Sequence, residues 1–274
     1  GISSLRELEK LCRNDIRFLY LLDGIKAPSF ATFGNFIRNE LSSSIEQIFK
    51  DINTYIFEKE QVDLQHTYID GTKLEANANR YTWVWKKSCI KNRGKVFEKL
   101  SALINAMNTE VLGYLGVKFE KRDDYAIEYV EELLEKYARV TKLDIGSFVT
   151  GRGHRKTLHQ RQYQEMEGYL LRLKTYAKHI EICGESRNSY AKTDHDATFM
   201  RLKRDYMGND QLLPAYNVQA AVCDEYIAVI DVKPYASDQD CFVPLMEKFK
   251  EIYGHYPKYP VADAGYGSYN NYLY

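Results

Sequence analysis

Two aspartates have the sequence context of carboxylates that bind a metal ion. Asp70 lies in "YIDGT" and Asp263 lies in "VADAG", so apolar residues precede each acid and a glycine follows within two positions. A carboxylate buried in a strand needs a partner, and Mg²⁺ commonly takes one or two protein carboxylates together with waters. Aspartate before glycine is also common in turns. The residues therefore leave a metal site and a pair of strand-end turns as open alternatives.

A basic and aromatic segment follows Asp70, with the sequence "TKLEANANRYTWVWKK" over residues 72–87. Basic side chains bind phosphates, and aromatic faces stack on nucleic-acid bases. The predicted DNA contacts in this segment are Lys73, Arg80, Trp83, Trp85, Lys86 and Lys87. A half-buried strand with both tryptophans on one face explains the same residues, and the two interpretations are compatible.

A second basic stretch follows a polar loop in "KTDHDATFMRLKRD". Its predicted DNA contacts are Arg201, Lys203 and Arg204. The preceding loop holds Asp194, His195 and Asp196. These three side chains are compatible with a metal cluster, but a turn that caps the start of a helix is the favoured interpretation.

Helical periodicity dominates the first 60 residues. Apolar residues recur at helical spacing over residues 3–23, and two further helices are predicted over 30–40 and 43–60. The sequence thus predicts a small all-helical N-terminal domain over residues 1–60. Such a domain is either a DNA-binding helix-turn-helix or a bundle that only packs.

Residues 61–274 show the pattern of an α/β core with a helical insertion. Alternation with period two over residues 66–75 predicts a strand, and helical periodicity returns from about 95 to 183. Beyond 213 follow a hairpin, a helix capped by Ser237, a short strand before Asp263 and the start of another helix. Three antiparallel strands, then a helix crossing to a fourth strand parallel to the first, form a mixed sheet. This order places Asp70 beside Asp263, with the helical insertion at about 90–185.

Composition limits the classes of function. The 274 residues carry a formal net charge of zero, so any nucleic-acid binding must come from local patches rather than from overall charge. The five cysteines are scattered without a CxxC pair, which disfavours a zinc knuckle and fits reduced thiols in the cytoplasm. No apolar run approaches the roughly 20 residues of a membrane span.

Three long motifs resemble those of one enzyme family. "YIDGTKLEANANRYTWVWKK", "KTDHDATFMRLKRDYMGNDQLLPAYNVQAAV" and "VADAGYGSYNNYLY" resemble the DDE transposases of bacterial insertion sequences, in the branch with an N-terminal helical domain. The resemblance covers most of the chain in the same order and is weakest in the helices at 95–185. It implies a ribonuclease H-like core in which three acids bind two Mg²⁺ or Mn²⁺ ions. Those ions drive cleavage and strand transfer of double-stranded DNA at transposon ends.

The resemblance assigns Asp70 as the first acid and Asp263 as the second, both catalytic and metal-binding. The third acid of the family, a glutamate on a later helix, has no match, because no Asp or Glu follows Asp263. We therefore expect a core that is incomplete at the C-terminus and inactive alone. The alternative is a non-catalytic, truncated transposase that binds DNA and blocks the complete enzyme. A purely structural helical scaffold is disfavoured by the aspartates within strands.

The family also implies partners and location. A homodimer assembled on double-stranded DNA is expected, in the bacterial cytoplasm at the nucleoid and without a membrane partner.

Overall fold

The structure is a computed structural model that describes residues 4–151, 155–202, 208 and 210–274. It is an α/β protein with a mixed sheet. The described chain forms two compact units. The first comprises the chain through Tyr68, with Ala221–Val229 and Met246–Val261, and the second comprises Ile69–Ala220, Ile230–Leu245 and Ala262–Tyr274. None of the described helices is long and apolar enough to span a bilayer.

The N-terminal segment is helical, but its first predicted helix is wrong in one respect. The chain forms α1 (Leu5–Asn14) and α2 (Ile16–Leu22) rather than a single helix over 3–23. Asp15 causes the break because its backbone is extended and its side chain accepts a hydrogen bond from Arg17 N at 2.9 Å. An aspartate that caps a new helix ends the previous one.

The next two predicted helices are joined rather than separate. Helix α3 (Phe30–Phe36) passes through a π-helical turn (Ile37–Leu41) into α4 (Ser42–Glu60). The three serines at 42–44 do not interrupt the helix, because their hydroxyls donate to carbonyls of the preceding turn. Such back-bonding often bends a helix, and here the helix continues through it.

The main sheet contains the strands that carry both candidate acids. Its strands are β1 (His66–Glu75), β4 (Thr198–Arg201), β5 (Leu212–Cys223), β6 (Tyr226–Lys233) and β7 (Tyr259–Ala262). The order is β4-β5-β1-β7, and β6 also pairs with β5. Asp224 and Glu225 form the predicted tight turn between β5 and β6, and Asp224 has the positive φ of 51° that such turns require. Helix α8 (Gln239–Tyr253) then leads to β7, and α9 (Tyr269–Leu273) follows.

Three long helices lie between β1 and β5 in the chain, where helical periodicity predicts them. They are α5 (Lys86–Glu110), α6 (Ile127–Val140) and α7 (Leu158–Cys183). Their shared core includes Leu100, Ile104, Val130, Tyr137 and Met166, each without exposed surface. Two short strands, β2 (Trp83–Trp85) and β3 (Ser189–Ala191), form a separate antiparallel sheet. Strand β2 directly precedes α5, and β3 follows α7. Strands β3 and β4 were not predicted, because three or four residues are too few to show a period.

Candidate metal centre and nucleic-acid surface

Asp70 lies on the exposed side of β1. Burial alternates along this strand: Thr67, Ile69 and Gly71 face the core, while Tyr68 and Asp70 face outward. The period-two alternation predicted over residues 66–75 is confirmed, but the expectation that the acid is buried is wrong. The carboxylate therefore stays hydrated, and its Oδ1 accepts a hydrogen bond from Gly71 N at 2.7 Å.

Asp263 directly follows the last residue of β7 and is also exposed. Its side chain caps a single 3-10 turn over Ala264–Tyr266 by accepting a hydrogen bond from Gly265 N at 2.8 Å. Both candidate acids thus have one carboxylate oxygen oriented by a backbone amide close by in sequence. The sequence offered a metal site and a turn as alternatives, and Asp263 does occupy a turn, which leaves its metal-binding role a prediction.

The pairing of β1 with β7 brings the two acids close to each other. Strand β1 is the neighbour of β7, as the predicted strand order requires. Tyr259 N donates to Gln65 O at 2.8 Å, so the two strands begin together and run parallel. Because parallel strands advance together, this register brings Asp70 level with Asp263. Adjacent strands lie about 4.8 Å apart, which is close enough for two carboxylates to contact one ion.

A buried polar network that the sequence did not predict lies beneath these acids. Asn217 and Gln219 alternate on the core side of β5, and neither side chain has exposed surface. Asn217 Nδ2 donates to Asp238 Oδ1 at 2.8 Å, and Gln219 Nε2 donates to the same oxygen at 3.2 Å. The Tyr266 hydroxyl donates to Gln219 Oε1. Two amides at period two in "YNVQAAV" are the signal that could have revealed this network.

The hydroxyl of Tyr266 is buried and has a raised pKa. Burial is the main cause that raises this pKa, followed by the charges of Asp238, Asp70 and Asp263. The phenol therefore stays protonated and acts as a hydrogen-bond donor. Both candidate acids therefore lie within electrostatic range of this hydroxyl.

The aromatic part of the predicted DNA surface is partly exposed. Trp83 keeps 45% of its surface exposed and lies edge-on to Tyr81 and to Phe199, with ring centroids 6.3 and 6.1 Å away. Trp85 is half-buried and packs against Phe199 at 6.3 Å. Trp83 and Tyr81 therefore present accessible aromatic rings, whereas Trp85 mainly supports the two-stranded sheet.

The basic residues of this segment have different environments. Lys86 Nζ donates to Gly184 O at 2.5 Å, so this lysine binds a carbonyl at the C-terminal end of α7. Arg80 pairs with Glu75 at 3.0 Å, and Lys73 is half-buried. Lys87, at the start of α5, is exposed. Lys87 is thus the cation of this segment best placed for a phosphate.

The second basic stretch is only partly described. Arg201 ends β4 and lies 3.7 Å from Asp210 in an exposed ion pair. Lys203 and Arg204 lie outside the described residues. The predicted role of this stretch in DNA binding stays a prediction.

The polar loop at 193–196 does not cap a helix, which corrects the favoured interpretation. It leads into strand β4 instead. Asp194 Oδ1 accepts from Asp196 N at 3.2 Å, and its Oδ2 accepts from the Tyr216 hydroxyl at 2.7 Å. Asp194 therefore ties a turn to β5. Across 4–151, 155–202, 208 and 210–274, no three His, Cys, Asp or Glu side chains form a metal-binding group.

Comparisons with protein-family models, with curated proteins and with solved structures give no match for this chain.

Proposed function

We propose that Asp70 and Asp263 bind one divalent metal ion, Mg²⁺ or Mn²⁺, in a ribonuclease H-like core of a bacterial DDE transposase. The observation that supports this proposal is the parallel pairing of β1 with β7, which brings two exposed carboxylates level with each other. Two carboxylates with the remaining positions filled by water are a usual ligand set for Mg²⁺. The residues present thus fit one ion.

Bound metal ions would supply Lewis-acid activation of the attacking oxygen and stabilisation of the leaving oxygen of a phosphodiester. The role of this chain in that chemistry is to hold the carboxylate oxygens of Asp70 and Asp263 at fixed positions. Gly71 N and Gly265 N orient one oxygen of each acid by hydrogen bonds. Double-stranded DNA at transposon ends, bound by a homodimer in the bacterial cytoplasm, is the proposed substrate.

A second function, DNA binding without catalysis, is favoured by one specific observation. The described residues group no third acidic, histidine or cysteine ligand with the two aspartates. A chain that binds DNA but holds only one ion would occupy transposon ends and block the complete enzyme.

The metal site is tested by Mn²⁺ titration followed by electron paramagnetic resonance. We expect Asp263→Asn to weaken Mn²⁺ binding about 100-fold, the upper end of the loss seen when even an outer-shell partner is removed. Asparagine keeps the side-chain oxygen that accepts from Gly265, so the turn is preserved. The matched control is Asp123→Asn, which neutralises an exposed acid before α6. Equal Mn²⁺ affinity in the two variants would contradict the site.

DNA binding is tested through its dependence on salt. Each lysine–phosphate contact contributes about 0.9 to the slope of log Kobs against log salt concentration. We expect Lys87→Ala to lower this slope by about that amount and to weaken binding of duplexes of any sequence alike. Lys99→Ala, an exposed lysine about 18 Å further along α5, is the control and should leave the slope unchanged. Equal slopes for the wild type and Lys87→Ala would show that the DNA-binding surface does not include Lys87 and lies elsewhere.

A further inference from the structure

The side chain of Gln219 lies in close contact with the backbone of Gly71, the residue that follows Asp70. Ala76 N donates to Pro214 O at 2.8 Å, and this antiparallel register places Gly71 directly across from Gln219. A Cβ on Gly71 would lie 2.3 Å from Gln219 Nε2. Only glycine therefore lets the amide of Gln219 pass this close to the backbone of β1, which is the backbone that carries Asp70.

The polar atoms of the Gln219 side chain are all engaged. Its Nε2 donates to Asn217 Oδ1 at 2.8 Å and to Asp238 Oδ1 at 3.2 Å, and its Oε1 accepts from the Tyr266 hydroxyl. A buried amide is costly without such bonds. With them, the amide has a single orientation.

Tyr266 connects this amide to the second acid. It ends the 3-10 turn that Asp263 caps, and its own N–H donates to Asp263 O at 3.2 Å. Asn271 Nδ2 donates to Tyr266 O at 2.8 Å, which fixes the turn from the other side. The Tyr266 hydroxyl is therefore the anchor by which the Asp263 turn is attached to Gln219.

We propose that Gln219 and Tyr266 are positioning residues that set the separation of the Asp70 and Asp263 carboxylates. The inference rests on the proposed metal-binding function, which it deepens. One buried amide packs against Gly71, next to the first acid, and accepts a hydrogen bond from the turn of the second. Outer-shell bonds of this kind orient the ligands of a metal ion and strengthen its binding.

The test is Mn²⁺ affinity in Tyr266→Phe, which removes one hydroxyl and keeps the ring. We expect about tenfold weaker Mn²⁺ binding, the lower end of the loss for an outer-shell partner. The matched control is Tyr137→Phe, because Tyr137 is also fully buried and its hydroxyl donates to a buried glutamine, Gln162, at 2.6 Å. Both variants should lower the midpoint of thermal unfolding by about 2–4 °C. Only Tyr266→Phe should change the affinity for Mn²⁺, which a merely stabilising role would leave unaltered.

The outcomes separate this inference from the function on which it rests. Wild-type affinity in Tyr266→Phe, combined with weak binding in Asp263→Asn, would overturn the positioning role and leave the metal site standing. Wild-type affinity in Asp263→Asn would overturn the metal site and the positioning role together. An equal loss of affinity in Tyr266→Phe and Tyr137→Phe would assign the effect to general stability and overturn the positioning role.

Discussion

Supercoiled plasmid DNA incubated with this chain and Mn²⁺ is expected to remain supercoiled. Two carboxylates can hold one ion, whereas two-metal cleavage of a phosphodiester uses a second ion in register to stabilise the leaving oxygen. Glu75 and Asp238 already have other partners. Glu75 pairs with Arg80 at 3.0 Å, and Asp238 accepts from Asn217 and Gln219 on the core side of the sheet.

The experiment compares nicking by the wild-type chain with nicking by Asp70→Asn over a range of Mn²⁺ concentrations. Asp70 is exposed on β1, so asparagine preserves the fold and removes only the charge. Nicking that requires Mn²⁺ and disappears in Asp70→Asn would show that two acids suffice, and the expectation of inactivity would be wrong. Nicking that is equal in both proteins would come from another nuclease, and Asp70 would have no part in it.

Replacing Ile104 with alanine should cause a large loss of stability. Ile104 has no exposed surface and lies in the core shared by α5, α6 and α7. Removing three buried carbons leaves a cavity, which typically lowers the free energy of unfolding by about 2–5 kcal/mol. Urea unfolding followed by circular dichroism measures this change.

Ile90→Ala is the matched control, because Ile90 lies on the same helix with 45% of its surface exposed. There we expect a change within about 0.5 kcal/mol, since surface substitutions rarely exceed this and alanine favours the helix. A similar loss in both variants would contradict the packing of the three helices. Melting of the helices in Ile104→Ala without a change in Mn²⁺ affinity would show that the insertion and the candidate metal site are energetically independent.

The sequence by itself determined the type of most elements, because periodicity is a local property. The alternation over residues 66–75 defined β1 and the residues that share its faces, and helical spacing identified α5, α6 and α7. The pairing of β1 with β7 and of β6 with β5 followed from the order of the predicted elements, but β4, which also pairs with β5, was not predicted. The break between α1 and α2 was harder to predict, because the apolar period continues past Asp15. This aspartate nevertheless ends one helix by capping the next.

Only the tertiary structure decided which face of β1 is buried and what lies against it. An alternating strand has two possible orientations, and Asp70 faces outward because Thr67, Ile69 and Gly71 are covered instead. The two amides at period two in β5 indicate a polar network, but its partners were not predictable, because the register between β1 and β5 depends on segments far apart in the chain. Gly71 and Gln219 are separated by more than half of the sequence, and nothing in either segment specifies the other. Pairing of the strands places the amide of Gln219 against Gly71, where a side chain would leave no room for it.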